Sequence, residues 1–114
     1  MLNFVLHSPT KIHFGKGTVA KTGEIVKTYA QKVLLVTGRT ATKKTGVLNK
    51  VMDSLQSSGV EVVLFDQVEP NPRAATVDAG AELARKEQCR LIIGLGGGSA
   101  MDAAKAIATV ALSG

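Results

Sequence analysis

LIIGLGGGSAMDAAK, residues 91–105, predicts an apolar strand, a glycine loop and a helix in direct succession. The loop glycines Gly96, Gly97 and Gly98 have no Cβ, so backbone amides can approach an anion closely and the chain can take positive φ. The helix that follows directs its N-terminal N–H groups and its positive dipole end at the same point. Ser99 is suited to be the N-cap or to donate its hydroxyl to the anion. The stretch therefore predicts a phosphate site, and the alternative is a turn that serves packing only.

Upstream of this stretch, strands alternate with helices. The segment from Phe4 to Phe14 predicts two short strands joined by a turn, and Lys32–Thr37, Glu61–Phe65 and Leu91–Ile93 are buried strands of the parallel type. Such alternation predicts an α/β fold, a Rossmann-like open parallel sheet with helices on both faces and an N-terminal β-ribbon. Helical spacing predicts the core-facing positions Leu48, Val51, Met52 and Leu55, then Val77, Ala81, Ala84 and Gln88, then Ala100, Ala103, Ala104, Ile107 and Ala111.

The chain of 114 residues is long enough for one small domain. Three parallel strands are few for this fold class, and the chain stops where a further strand is expected. We therefore expect the domain to be incomplete.

Composition narrows the function classes. The net charge of +5 comes from scattered basic residues, and one Tyr, three Phe and no Trp offer few stacking platforms, which argues against nucleic-acid binding. No apolar run reaches the roughly 18 residues of a membrane span, and no signal peptide is recognisable. The single cysteine, Cys89, excludes a disulfide scaffold and fits a cytoplasmic protein, where it is expected to be a small buried hydrophobe.

The carboxyl ends of the three buried strands should meet at one edge of the sheet, where open parallel sheets bind ligands. These ends are Thr37–Thr40, Asp66–Arg73 and the glycine loop. A dinucleotide fits them, with its pyrophosphate on the glycine loop and its adenosine ribose near the first strand end. The loop has neither the lysine of a P-loop nor the usual G-x-G-x-x-G, so it predicts a phosphate-bearing ligand without naming a reaction.

A more specific resemblance rests on several segments together. GGGSAMDAAK at 96–105 resembles the GGGSxxDxAK segment of the iron-containing (group III) alcohol dehydrogenases, and Pro70-Asn71-Pro72 resembles their PNP loop. PTKIHFGKG at 9–17 is similar to the family's characteristic start, and Lys44-Thr45-Gly46 fits its second helix. The match covers the whole chain in the right order. It implies that residues 1–114 are an N-terminal dinucleotide-binding domain, truncated and without the helical metal-binding domain.

The resemblance also implies roles for single residues. In the family the glycine loop binds the cofactor pyrophosphate, which corresponds to Gly96, Gly97, Gly98 and Ser99 here. Asn71 would face the cofactor, and Asp102 would lie near the nicotinamide half.

The cofactor preference depends on the end of the first buried strand. Many family members have an Asp there that binds the adenosine 2′-hydroxyl, whereas this chain has Gly38. A glycine leaves room for a 2′-phosphate, to which Arg39, Thr40 and Lys43 could donate. We therefore expect NADP, with NAD possible.

The family's catalytic metal, Fe²⁺ or another divalent ion, is held by one Asp and three His of a later helical domain. This chain has only His7 and His13, both in the predicted ribbon, so we expect no catalytic or metal-binding residue in it. The resemblance implies that this chain is the cofactor-binding part of an NAD(P)-dependent, metal-assisted dehydrogenase of alcohols and aldehydes. A homo-oligomer is also compatible with the resemblance. The alternatives are a glycerol dehydrogenase or dehydroquinate-synthase-like enzyme, or a nucleotide-binding module without catalysis.

Overall fold

A computed structural model describes residues 3–7, 12–16, 22–28, 30–39, 46–69, 72–96 and 98–112. In these ranges five strands and four helices follow one another along the chain. The strands are β1 (Asn3–His7), β2 (Ile12–Lys16), β3 (Lys32–Gly38), β4 (Glu61–Val68) and β5 (Leu91–Leu95). The helices are α1 (Thr22–Val26), α2 (Val47–Ser57), α3 (Ala74–Lys86) and α4 (Gly98–Leu112).

The five strands form one sheet in the order β2-β1-β5-β3-β4. β3 pairs in parallel with β5 on one side and with β4 on the other, so Val36 is opposite both Gly94 and Phe65. The predicted parallel sheet is confirmed. The N-terminal ribbon is also confirmed, and it joins this sheet because β1 pairs antiparallel with β5.

Helices cover both faces of the sheet, as predicted. Alternate residues of β3 point to opposite faces: Leu35 belongs to a core cluster with Leu55 of α2, whereas Leu34 belongs to a second cluster with Ile107 of α4. This two-sided burial explains the continuous apolar run of the strand, since neither face is left for polar side chains. α1 and α2 therefore lie on one face, and α3 and α4 on the other.

Small residues bring the helices of the second face close together. The predicted alanine face of α4 is buried, and a Cβ built on Gly80 of α3 would lie 2.4 Å from Cδ1 of Ile107. A larger residue at position 80 would force the Ile107 side chain to move.

The predicted end of β4 at Phe65 is wrong, because the strand continues to Val68. The register advances from Val36 opposite Phe65 to Gly38 opposite Val68, which inserts one extra residue into β4. Phe65 and Val68 are three positions apart, so in a regular strand their side chains would point to opposite faces. Because of the extra residue, both belong to the same core cluster. The segment expected to be a loop, Asp66–Arg73, therefore begins as strand.

The placement of Gln88 on a helix face is also wrong, because α3 ends at Lys86. Gln88 takes a left-handed φ of 58°, and the N–H of Cys89 donates to the Ala84 carbonyl at 2.9 Å. This is a Schellman end, and the same motif closes α2, where Gly59 has φ 81°. Gln88 thus ends the helix in place of the usual glycine.

Cys89 is buried and unpaired, as expected of a small hydrophobe. Burial raises the pKa of its thiol to about 11, which keeps it protonated at neutral pH. In the described ranges, no helix combines the length and the apolar character that a membrane crossing needs.

Candidate functional site

The three parallel strands end at one edge of the sheet, as predicted. Thr37 is opposite Leu95, and Gly38 is opposite Val68. The residues that follow these strands are thus brought together by the parallel register. We call this edge the carboxyl edge.

The turn from β5 to α4 needs glycine for a conformational reason. Gly96 has φ 123°, which side chains rarely tolerate. Gly97 lies outside the described residues, and α4 begins at Gly98. Ser99 is thus the second residue of the helix, and the expectation that it is the N-cap is wrong.

The described residues leave the space beside Gly98 open. A Cβ built on Gly98 would meet none of them within 4 Å, whereas one on Gly94 would collide with α4. Gly98 is therefore not required by packing, and a Cβ there would occupy the space before the helix N-terminus. The first turn of α4 contains no acidic residue. The first N–H groups of a helix have no partner within the helix, so this end of α4 suits an anionic group such as a pyrophosphate.

At the end of β3, Gly38 also leaves room. Among the described residues, a Cβ built on Gly38 would meet only the Val68 carbonyl oxygen, at 3.8 Å. Arg39 follows, and its side chain is 61% exposed with Nη2 3.8 Å from Oε2 of Glu69. Thr40 and Lys43 lie outside the described residues.

Glu69 was not predicted from the sequence. It follows β4 directly, and its Oε1 accepts hydrogen bonds from Thr76 Oγ1 at 2.7 Å and from the Arg73 N–H at 3.2 Å. The Thr76 hydroxyl, followed by the Arg73 amide, holds the pKa of the Glu69 carboxyl below its usual value. A carboxylate shortly before a helix, together with a threonine in the first turn of that helix, is the sequence signal that could have indicated the role of Glu69.

The segment that contains Asn71 lies between these bonded residues. Pro70 and Asn71 are outside the described residues, while Glu69 on one side is hydrogen-bonded to Arg73 and Thr76 on the other. The carboxylate therefore joins the end of β4 to the start of α3.

Asp102 lies on α4, one turn after Gly98, and its side chain is exposed. The backbones of His7 and His13 lie in the paired strands β1 and β2. Among the described residues, no three or more His, Cys, Asp or Glu side chains are grouped so that they could hold a metal ion.

Comparison with known proteins gives a family match. The model of the family described as iron-containing alcohol dehydrogenase matches residues 9–113. An NADH-dependent butanol dehydrogenase A of Clostridium acetobutylicum is 39% identical over 95% of this chain and 28% of its own length. An NADPH-dependent aldehyde reductase of Escherichia coli is 41% identical over 97% of this chain and 28% of its own length.

A solved structure gives the same result. The NADH-dependent butanol dehydrogenase A of Thermotoga maritima has a TM-score of 0.81 and 46% identity over 93% of this chain and 27% of its own. The chain thus spans little more than a quarter of the length of these relatives.

Proposed function

Because the chain belongs to the iron-containing alcohol dehydrogenase family, we propose that its carboxyl edge binds the dinucleotide of an NAD(P)-dependent alcohol dehydrogenase. The observation that carries the proposal is that a Cβ built on Gly98 would meet no described residue within 4 Å, at the start of a helix of 15 residues that follows β5, the middle strand of the sheet. In this view residues 1–114 are the N-terminal dinucleotide-binding domain, and the metal is held by another part of the full-length protein.

The pyrophosphate is assigned to the turn between β5 and α4. Backbone N–H groups at Gly97, Gly98 and Ser99 would donate to it, and the Ser99 hydroxyl can add a further bond. Gly96 supplies the backbone conformation that turns the chain toward the helix. The absence of a carboxylate from the first turn of α4 supports the assignment, since a carboxylate would repel the phosphates.

The remaining residues are assigned to the two halves of the dinucleotide. Gly38, Arg39 and Thr40 are assigned to the adenosine ribose and its 2′-substituent, which favours NADP over NAD. Asn71 would face the cofactor, and Asp102 would lie near its nicotinamide half. The exposed guanidinium of Arg39 and the vacant space at Gly38 support the preference for a 2′-phosphate.

When bound, the nicotinamide would exchange a hydride with the substrate, and a divalent metal would act as a Lewis acid. The residues of this chain would bind and orient the dinucleotide. The close packing of α4 on β5 keeps the binding groups in place. Alcohols and aldehydes are the proposed substrates. We further assign the protein to the cytoplasm and propose a homo-oligomer.

Titration calorimetry of the full-length protein with NADPH and with NADH tests the proposal. We expect both nucleotides to bind and NADPH to have the smaller dissociation constant. A protein that binds neither nucleotide would contradict the dinucleotide site. A clear preference for NADH would contradict only the assignment of the 2′-phosphate.

A further inference from the structure

Arg39 and Glu69 are neighbours because the strands that precede them are paired. Gly38 is opposite Val68 in the parallel register, so the next residue of each strand emerges at the same place on the carboxyl edge. Arg39 Nη2 and Glu69 Oε2 are 3.8 Å apart, within ion-pair distance. The guanidinium assigned to the 2′-phosphate therefore has a carboxylate beside it.

The two partners differ in how firmly they are held. The Glu69 side chain is only 17% exposed, and its Oε1 accepts two hydrogen bonds, from Thr76 and from Arg73. The Arg39 side chain is 61% exposed, and its contact with Glu69 is longer than a hydrogen bond. Glu69 is thus a fixed negative charge, and Arg39 is the partner that can reorient.

We propose that Glu69 competes with the 2′-phosphate of the cofactor for Arg39 and thereby limits the preference for NADPH over NADH. The inference rests on the proposed dinucleotide site. To bind a 2′-phosphate, Arg39 has to give up part of its interaction with Glu69. NADH has a hydroxyl in this position, which makes no such demand. Glu69 is therefore a positioning residue that acts through Arg39.

The test compares NADPH and NADH dissociation constants for full-length Glu69→Gln, Arg39→Gln and the double variant. The glutamine amide oxygen can still accept the bonds from Thr76 and Arg73, so the start of α3 keeps its partner. We expect Glu69→Gln to tighten NADPH binding about two- to fivefold, the range of an exposed ion pair, without tightening NADH binding. Arg39→Gln should weaken NADPH binding and leave NADH binding unchanged.

The double variant separates this competition from other effects. In the Arg39→Gln background, Glu69→Gln should no longer change the ratio of the two dissociation constants. Thr76→Val is the matched control, because it removes the hydroxyl on Oε1 and leaves both charges of the pair. The ratio of the two dissociation constants should change less in Thr76→Val than in Glu69→Gln, since the Arg73 bond and both charges remain.

Three outcomes would overturn the inference: an unchanged ratio in Glu69→Gln, an effect of Glu69→Gln that persists without Arg39, or an equal effect of Thr76→Val. Unaltered NADPH binding in Arg39→Gln would overturn it independently of any Glu69 variant. A parent protein that binds neither nucleotide would instead contradict the proposed function.

Discussion

Gly94 on β5 and Ala104 on α4 are in such close contact that a Cβ on Gly94 would lie 2.8 Å from the Cβ of Ala104. The backbone of α4 is also near, with the Ala100 carbonyl oxygen at 3.5 Å from the same point. The helix is thus seated directly on the strand that precedes it. This seating fixes where the helix N-terminus lies relative to the carboxyl edge.

Gly94→Ala should destabilise the protein by about 1–3 kcal/mol, because the added methyl group overfills a packed contact. Urea unfolding measures the change. Ala104→Gly should cost less in the Gly94→Ala protein than in the parent, since it removes the atom that the added methyl group meets. A Gly94→Ala protein as stable as the parent would show that α4 can shift without cost.

Gly98→Ala should separate binding from stability. Since its Cβ would enter open space, the free energy of unfolding should stay the same or rise by up to about 1 kcal/mol, the helix-propensity difference between the two residues. NADPH and NADH should both bind at least about tenfold more weakly, because the methyl group occupies the proposed pyrophosphate position and a tenfold loss corresponds to only about 1.4 kcal/mol.

Titration calorimetry and urea unfolding of the same Gly98→Ala sample provide the two readouts. Val110→Ala is the control, at the exposed far end of the same helix. It should leave the affinities for both nucleotides unchanged. Undiminished nucleotide binding in Gly98→Ala would remove the pyrophosphate from this turn.

Gln88→Gly should stabilise the protein by about 0.5–1 kcal/mol. Gln88 has a φ of 58°, a conformation that costs an L-residue energy and that glycine adopts readily. Lys86→Gly, inside the last turn of α3, is the control and should destabilise by about 1 kcal/mol. Thermal and urea unfolding would both detect the opposite signs, and a loss of stability in Gln88→Gly would refute the argument.

Acid should weaken the fold partly through Glu69. Hydrogen bonds from Thr76 and Arg73 lower its pKa below the ordinary value of 4.5, so the ionised carboxylate stabilises the folded state above that value. The contribution is lost as the pH falls through the lowered pKa. Urea unfolding across this acid range should show a shallower pH dependence for Glu69→Gln than for the parent protein.

Thr76→Val should give an intermediate slope in the same measurement, because it removes the largest cause of the lowered pKa and leaves the Arg73 bond. Identical slopes in all three proteins would mean that the Glu69 bonds do not persist in solution.

Much of the fold could be predicted from the sequence. The apolar runs that form β3 and β5 and the helical spacing of Leu48, Val51 and Leu55 depend on local periodicity, which a sequence displays directly. The glycine turn before α4 could likewise be predicted, because adjacent glycines are read directly from the sequence. These local features also sufficed to indicate the family.

The pairings between distant residues were decided only by the tertiary structure. The extra residue in β4 depends on its register with β3, and the pairing of β1 with β5 joins segments more than 80 positions apart. The Arg39–Glu69 pair has the same origin, since the two residues meet only because Gly38 and Val68 are opposite each other. The sequence by itself determined a strand, a glycine turn and a helix suited to a phosphate. Which charges surround that site follows from the strand register, which no local pattern encodes.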